Sequence, residues 1–197
     1  MKKIAITGGI AAGKSTVCEM FQGLGALILD ADTLAHHVYD PGTPLHQDLV
    51  DRFGPEILLE NGNIDRSRLG EIVFQSEKDK KWLESQTHPA TRDKIVQKIN
   101  EAADQSYPLV LIEAALHVET GYYREFEGLI VVHVSPQVQI ERVMARDSIS
   151  QKEAEQRLAN QMPVDEKKKY GDWVIDNSGD REKTQSQVAD LFRELMK

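Results

Sequence analysis

Residues 8–15 read Gly-Gly-Ile-Ala-Ala-Gly-Lys-Ser and satisfy G-x-x-x-x-G-K-[ST] at every fixed position. No other stretch constrains the fold as tightly. An apolar run, Ile4-Ala5-Ile6, precedes it. Val17, Met20, Phe21 and Leu24 follow at i, i+3, i+4 and i+7, the buried stripe of a helix. A strand, a glycine-rich turn and a helix in that order aim successive backbone N–H groups, and a helix N-terminus, at one anion. Glycine permits the tight wrap because it has no Cβ. Gly9, Ile10, Ala11, Ala12, Gly13, Lys14, Ser15 and Thr16 are therefore candidate phosphate ligands. In this pattern Lys14 neutralises the β- and γ-phosphates of a nucleotide and the Ser15 hydroxyl ligates Mg²⁺. Thr16 is placed to touch the α-phosphate.

Four more apolar runs read as strands: 26–29, 109–112, 129–134 and 173–175. They are continuously apolar rather than alternating, which suits a parallel sheet covered on both faces. Helical patterns separate them. Between the second and third strands lie about 75 residues, too many for a simple crossover. Leu45, Leu49 and Phe53 form one stripe there, and Leu69, Ile72 and Val73 another. Pro89 is expected to start a long helix carrying Ile95, Val96 and Ile99. Ser135-Pro136 opens a helix, Ser150 to Glu153 form a capping box, and Val188, Leu191, Phe192 and Leu195 mark the last helix. Strands alternating with helices define an α/β, doubly wound fold with five parallel strands, a helical insertion and a helical lid. The expected division is a core at about 1–35, 105–140 and 170–197, an insertion at about 36–104 and a lid at about 141–169.

Composition narrows the partners. The chain has 24 Lys and Arg against 32 Asp and Glu, a formal charge of −8. That disfavours a broad nucleic-acid face or an anionic membrane surface, and leaves small molecules as ligands. One cysteine, Cys18, excludes an internal disulfide framework and a cysteine-rich zinc site. The apolar run after Met1-Lys2-Lys3 is too short for a secretory leader, and no stretch approaches the roughly 18 apolar residues of a membrane span. A cytoplasmic protein, monomeric or a small homo-oligomer, is the expectation.

A phosphate loop alone does not name a reaction. No N-K-x-D for guanine is present. A small α/β chain with a helical insertion resembles a metabolite kinase more than a motor ATPase. The second strand ends Asp30-Ala31-Asp32, and strand C-termini face the ligand crevice of such sheets. Asp32 either accepts a proton from an acceptor hydroxyl or caps a helix starting at Thr33. Glu113 ends the third strand and either holds Mg²⁺ through water, engages substrate or is simply solvated at the sheet edge. Arg142 and Arg146 share a helix face, where guanidinium groups can stabilise charge on a transferring phosphoryl group or pair with Glu141 or Asp147. His36 and His37 point about 100° apart on a helix, so they are not a metal pair. Trp82 and Trp173 read as core residues, Lys78, Lys80 and Lys81 as a solvated face. Lys167-Lys168-Lys169 serves either solubility or the nucleotide.

An ordered set of residues runs well beyond the phosphate loop. It comprises Thr7 to Ile10 with Gly13 to Val17, Leu24-Gly25-Ala26, Asp30-Ala31-Asp32, Phe53-Gly54, Asp65-Arg66 and His88-Pro89. It continues with Leu116 and Glu119, Gln139 with Arg142 and Arg146, Gln161, Asp172, Val174-Ile175 and Asn177. In these the chain resembles the dephospho-coenzyme A kinase family over essentially its whole length. The resemblance implies ATP and Mg²⁺ as cofactors and phosphorylation of the ribose 3′-hydroxyl of dephospho-coenzyme A. It implies Asp32 as the base, Lys14, Arg142 and Arg146 as catalytic, and Asn177 by the adenine. Thr7, Asp32, His88, Leu116 and Glu119 would bind the acceptor, and Arg146 would also bind ATP. Two rivals are a nucleoside monophosphate kinase and a non-enzymatic ATP-binding switch. Three departures stand out. Ala11 replaces a common glycine and tolerates the loop if its φ is negative. Ala115-Leu116-His117-Val118-Glu119 replaces Pro-Leu-Leu-Phe-Glu. Glu113 stands where aspartate is common.

Overall fold

The computed structural model describes all 197 residues. Five strands, β1 (Lys2–Gly8), β2 (Leu27–Asp30), β3 (Leu109–Glu113), β4 (Leu129–His133) and β5 (Trp173–Asp176), form one sheet. Every pairing is parallel and the order is β2-β3-β1-β4-β5. The helices are α1 (Lys14–Gly23), α2 (Ala31–His36), α3 (Pro44–Phe53), α4 (Arg66–Phe74) and α5 (Glu77–Asp104), then α6 (His117–Thr120), α7 (Pro136–Asp147), α8 (Gln151–Leu158), α9 (Val164–Lys167) and α10 (Arg181–Leu195).

The chain separates into two compact units, 1–30 with 101–197, and 31–100. In the first, successive side chains alternate between sheet faces. Ile4, Ile6, Leu109, Leu111, Ile130 and Val132 pack on one face with Val17 and Phe21 of α1 and Val188 and Leu191 of α10. Ala5, Leu129 and Val131 pack on the other with Val118. Both faces are covered, which is why the strands read as unbroken apolar runs. β1 is central, flanked by β3 and β4, so the loop after Gly8 leaves the sheet where the connections diverge to either side.

The second unit has its own core. Val38, Leu45, Leu49, Phe53, Ile57, Ile64 and Leu69 are buried together, with Trp82 and Leu83 packed against them. The Phe53 and Trp82 rings meet edge to face at 5.6 Å, and the Arg52 guanidinium lies 4.4 Å from the centre of the Trp82 ring. Thr43 caps α3 and Asp65 caps α4, each accepting a backbone N–H of its first turn. Trp82 and Trp173 are half-buried beside cores, as the sequence suggests.

Pro89 behaves differently from expectation. It does not start a helix; α5 runs from Glu77 to Asp104 with Pro89 inside it. An interior proline removes one backbone bond and costs about 3 kcal/mol. The helix on both sides of it packs on the second core, through Trp82 and Leu83 before it and Ala90 after it. The Thr87 and Thr91 hydroxyls also donate to carbonyls one turn back, at 2.9 and 2.8 Å. No helix is long and apolar enough to cross a membrane.

Candidate active site

The loop between β1 and α1 is a tight wrap. Ala12 N–H donates to the Gly9 carbonyl at 3.1 Å, closing a turn. Gly13 follows with φ 84° and α1 begins at Lys14. The first bond of α1 is Val17 N–H to the Gly13 carbonyl at 3.1 Å. The N–H groups of Lys14, Ser15 and Thr16 therefore have no intrahelical partner and give the positive end of the helix. Ala11 does not meet the negative-φ condition. Its φ is 55°, in the left-handed region, where a Cβ costs roughly 1–2 kcal/mol.

A cavity of about 530 Å³ opens on this loop, lined by Ala11, Gly13, Lys14, Ser15 and Thr16. Arg142 and Arg146 of α7 line it as well. Asn177 and Gly179, in the turn between β5 and α10, and Arg181, the first residue of α10, complete the lining. The expected phosphate ligands Ala11 to Thr16, apart from Ala12, thus share one cavity with both α7 arginines and Asn177. Ala12 is buried beneath it, and Gly9 and Ile10 line a separate cavity of about 250 Å³ on the loop's other side.

Each arginine is fixed by a different partner. Arg142 Nη2 donates to the Asn177 carbonyl at 2.9 Å. Arg146 makes a fork with Asp147, Nε to Oδ1 at 2.7 Å and Nη2 to Oδ2 at 3.0 Å. That leaves its Nη1 edge for a further acceptor. Asp147 also pairs with Arg157 of α8, and the two arginines hold its carboxyl below the usual aspartate range. The Asn177 side chain donates to the Ala12 carbonyl at 2.8 Å and accepts from Thr184 at 3.0 Å. Its carboxamide is committed to the loop and to α10.

Below the loop lies a polar cluster. The Thr7 hydroxyl and Lys167 Nζ both donate to the Ala115 carbonyl, at 3.2 and 2.7 Å. Lys167 is fully buried and pairs with Glu119 at 2.9 Å. Burial lowers its pKa, and Glu119 opposes that shift. Glu119 also accepts from Met162 N–H at 3.1 Å. Leu116 is exposed between them. His117, the departure from the family pattern, is buried. Its Nε2 bonds the Ile112 carbonyl at 2.8 Å, and its Nδ1 has no partner. Burial pushes its pKa down to about 4, with the Lys167 and Lys14 charges adding to the effect. Tyr122 stacks on its ring and Phe126 meets it edge on.

Glu113 ends an interior strand, not an edge, pairing with Ile6 and Asp30. It interacts with the Cys18 thiol, whose pKa is raised mainly by burial and then by Glu113. Asp32 and His88 belong to the second unit. Asp32 is exposed in the first turn of α2, which begins at Ala31, so it does not stand at a cap. His88 is exposed in the middle of α5. Sequence reasoning missed Gly179 and Arg181, which carry no motif, and left Lys167 unresolved. The one signal for Lys167 is its i+3 spacing from Val164, a weak mark of a buried face.

A phosphate loop on the central strand of a five-stranded parallel sheet, facing arginines from a following helix, defines a P-loop α/β phosphotransferase architecture. A sequence profile of the dephospho-CoA kinase family matches residues 2–183. A dephospho-CoA kinase of Aquifex aeolicus is 45% identical over 195 residues, covering 99% of this chain and 98% of that protein. The crystal structure of a Thermus thermophilus protein superposes with TM-score 0.81 at 32% identity, over 98% of this chain and 97% of that one. A dephospho-CoA kinase from Campylobacter jejuni gives 0.75 at 30% identity, over 98% and 96%. The chain belongs to the dephospho-CoA kinase family.

Proposed function

We propose that this chain transfers the γ-phosphoryl group of ATP to the ribose 3′-hydroxyl of dephospho-coenzyme A. The observation that carries the reading is the cavity that joins the phosphate loop to Arg142, Arg146 and the Asn177–Arg181 turn, in a chain of this family.

The free N–H groups at the start of α1 and the Lys14 ammonium bind the β- and γ-phosphates. Arg146, with its Nη1 edge open, and Arg142 face the charge that spreads over the transferring group. Arg181 is assigned to the nucleoside in this reading, while Asn177, expected by the adenine, braces the phosphate loop through the Ala12 carbonyl. Asp32, two residues past β2, takes the acceptor proton and orients its oxygen for in-line attack. Thr7, Leu116, Glu119 and His88 belong to the acceptor side of the reading. Thr7 and Glu119 act there by shaping the 115–119 loop through the Ala115 carbonyl and Lys167.

The donor set suits Mg²⁺. No group of three or more His, Cys, Asp or Glu forms a metal cage, and the Ser15 hydroxyl lies beside Lys14 in the cavity. Mg²⁺ keeps most of its waters and binds through substrate phosphates with few protein ligands. When bound it would neutralise the β- and γ-oxygens, with Ser15 as its protein ligand. Glu113 is a candidate for its water shell.

ADP release from ATP is measured with dephospho-coenzyme A, with nucleoside monophosphates and with no acceptor. Release should depend on dephospho-coenzyme A. Acceptor-independent release, or release driven by a nucleoside monophosphate, refutes the assignment. Asp32→Asn should abolish turnover while ATP binding persists, and unchanged turnover removes Asp32 as the base. Lys14→Ala should weaken both nucleotide affinity and rate.

A further inference from the structure

Two carbonyls of the phosphate loop are held from outside by side-chain carboxamides. Gln139 Nε2 donates to the Ile10 carbonyl at 2.7 Å, and Asn177 Nδ2 donates to the Ala12 carbonyl at 2.8 Å. Both side chains are buried, at 4% and 8% exposure. Across a trans peptide the C=O and the next N–H point in opposite directions. Drawing the Ile10 carbonyl towards Gln139 therefore turns the Ala11 N–H away from it, and the Asn177 bond does the same for the Gly13 N–H. The N–H between them is spent within the loop, on the Gly9 carbonyl at 3.1 Å. Ala11 and Gly13, at φ 55° and 84°, alternate with Ala12 in the manner of an anion-binding nest.

The loop is fitted to these side chains. A Cβ on Gly9 would collide with Gln139 Nε2, and one on Gly13 would collide with Asn177 Nδ2. Helix α7 is tied to the loop twice. Gln139 reaches it directly, and Arg142, three residues on, holds the Asn177 carbonyl at 2.9 Å. The Thr184 hydroxyl donates to Asn177 Oδ1 at 3.0 Å, so the Asn177 amide is fixed with its nitrogen on the loop.

We propose that Gln139 is a positioning residue for the transfer reaction. It holds the Ile10–Ala11 peptide so that the Ala11 N–H faces the nucleotide phosphates, and it couples phosphate binding to α7, the helix that carries Arg142 and Arg146. The inference rests on the ATP-binding part of the proposed function and not on the identity of the acceptor.

The test pairs Gln139→Met, which keeps length and bulk but has no donor, with Gln139→Glu, which sets a carboxylate against the Ile10 carbonyl. Steady-state kinetics give KM for ATP and for dephospho-coenzyme A separately. Calorimetry gives the ATP Kd without acceptor, and thermal melts report folding. One misaimed N–H to a charged phosphate should raise the ATP KM and Kd together by about tenfold or more. Gln139→Glu should be worse than Gln139→Met, and the acceptor KM should stay within about twofold. A double-mutant cycle adds a second readout. Gly9→Ala alone should weaken ATP binding by displacing Gln139, and should add much less in a Gln139→Ala background. Unchanged ATP Kd in folded Gln139→Met and Gln139→Ala, or strict additivity in the cycle, overturns the proposal and leaves Gln139 a packing residue. If the wild-type chain ignores dephospho-coenzyme A while the Gln139 variants still lose ATP affinity, the acceptor reading fails and this inference stands.

Discussion

His117 should make the fold sensitive to mild acid. The residue is 1% exposed, its Nε2 bonds the Ile112 carbonyl, and no group meets its Nδ1. Burial is the first cause of its lowered pKa, followed by the nearby Lys167 and Lys14 charges, and the folded value is about 4 against 6.5 for a free imidazole. The sign follows from linkage. Between those values the unfolded chain binds more protons than the folded one, so stability falls as pH falls. The loss begins near pH 6.5 and is complete near pH 4. For one such group it amounts to about 2 kcal/mol between pH 7 and pH 5, and about 3 kcal/mol in all. The part of that window between pH 7 and pH 5 lies above the range where most carboxylates titrate. The perturbation is His117→Phe, whose ring can occupy the same place against Tyr122 and Phe126 without a proton to gain. Urea denaturation of both proteins is followed at half-unit steps from pH 7.5 to 5. The difference in unfolding free energy, wild type minus variant, should fall by about 2 kcal/mol towards pH 5. A difference that stays flat shows that His117 is protonated at little cost in the fold, and the reasoning fails.

Lys167→Met should cost about 3 kcal/mol or more, because it leaves the Glu119 carboxylate without its buried cation. Adding Glu119→Gln should recover part of that loss in the same denaturation assay; a double variant no more stable than Lys167→Met contradicts this. Ala11→Gly removes a left-handed Cβ worth roughly 1–2 kcal/mol and adds about 0.4–1 kcal/mol of unfolded-chain freedom. It should melt at or slightly above the wild-type temperature with turnover retained, and a clearly lower melting point refutes the strain at Ala11. Arg181 lines the cavity, and its side chain makes no hydrogen bond or ion pair within the protein. Arg181→Ala should raise the ATP KM several-fold without changing stability, whereas an unchanged KM shows that the side chain does not reach the nucleotide.

The parts legible in the sequence are those where one local rule dominates. The strands show because both sheet faces are covered, leaving Leu109 to Ile112 and Leu129 to Val132 without polar interruptions. The phosphate loop shows because backbone anion binding demands a glycine spacing, and Ser135 and Ser150 show because caps are side-chain chemistry within one turn. What stayed hidden depends on long-range contacts. Pro89 carries a local signal for a helix start, yet packing of Trp82 and Leu83 keeps the preceding residues helical through it. Lys167 sits in a run of three lysines that looks solvated, yet Ala115 and Glu119, about fifty residues away in sequence, bury it. Asn177 is visible in the family pattern as a nucleotide residue, whereas its bond to the Ala12 carbonyl spans 165 positions and has no sequence signature.

The two lysines beside the loop show how an acidic chain can hold polyanions. Lys167 is buried, bonded to a carbonyl and paired with Glu119, so its charge is locally cancelled and its work is structural. Lys14 lines the open cavity with Ser15 and Thr16, and in the proposed reaction its charge meets the ligand's phosphates. Among the arginines, Arg146 is braced by Asp147, while Arg142 is braced by a neutral carbonyl and keeps its full charge. Backbone N–H groups add positive potential that no count of side chains records. A net charge of −8 therefore constrains the surface as a whole and says little about a site where donors are concentrated and acids are kept behind the arginines. It also favours discrimination. Flexible polyanions that need many contacts meet a repulsive surface, whereas on the proposed reading a compact triphosphate would reach backbone donors of a loop braced by Gln139 and Asn177.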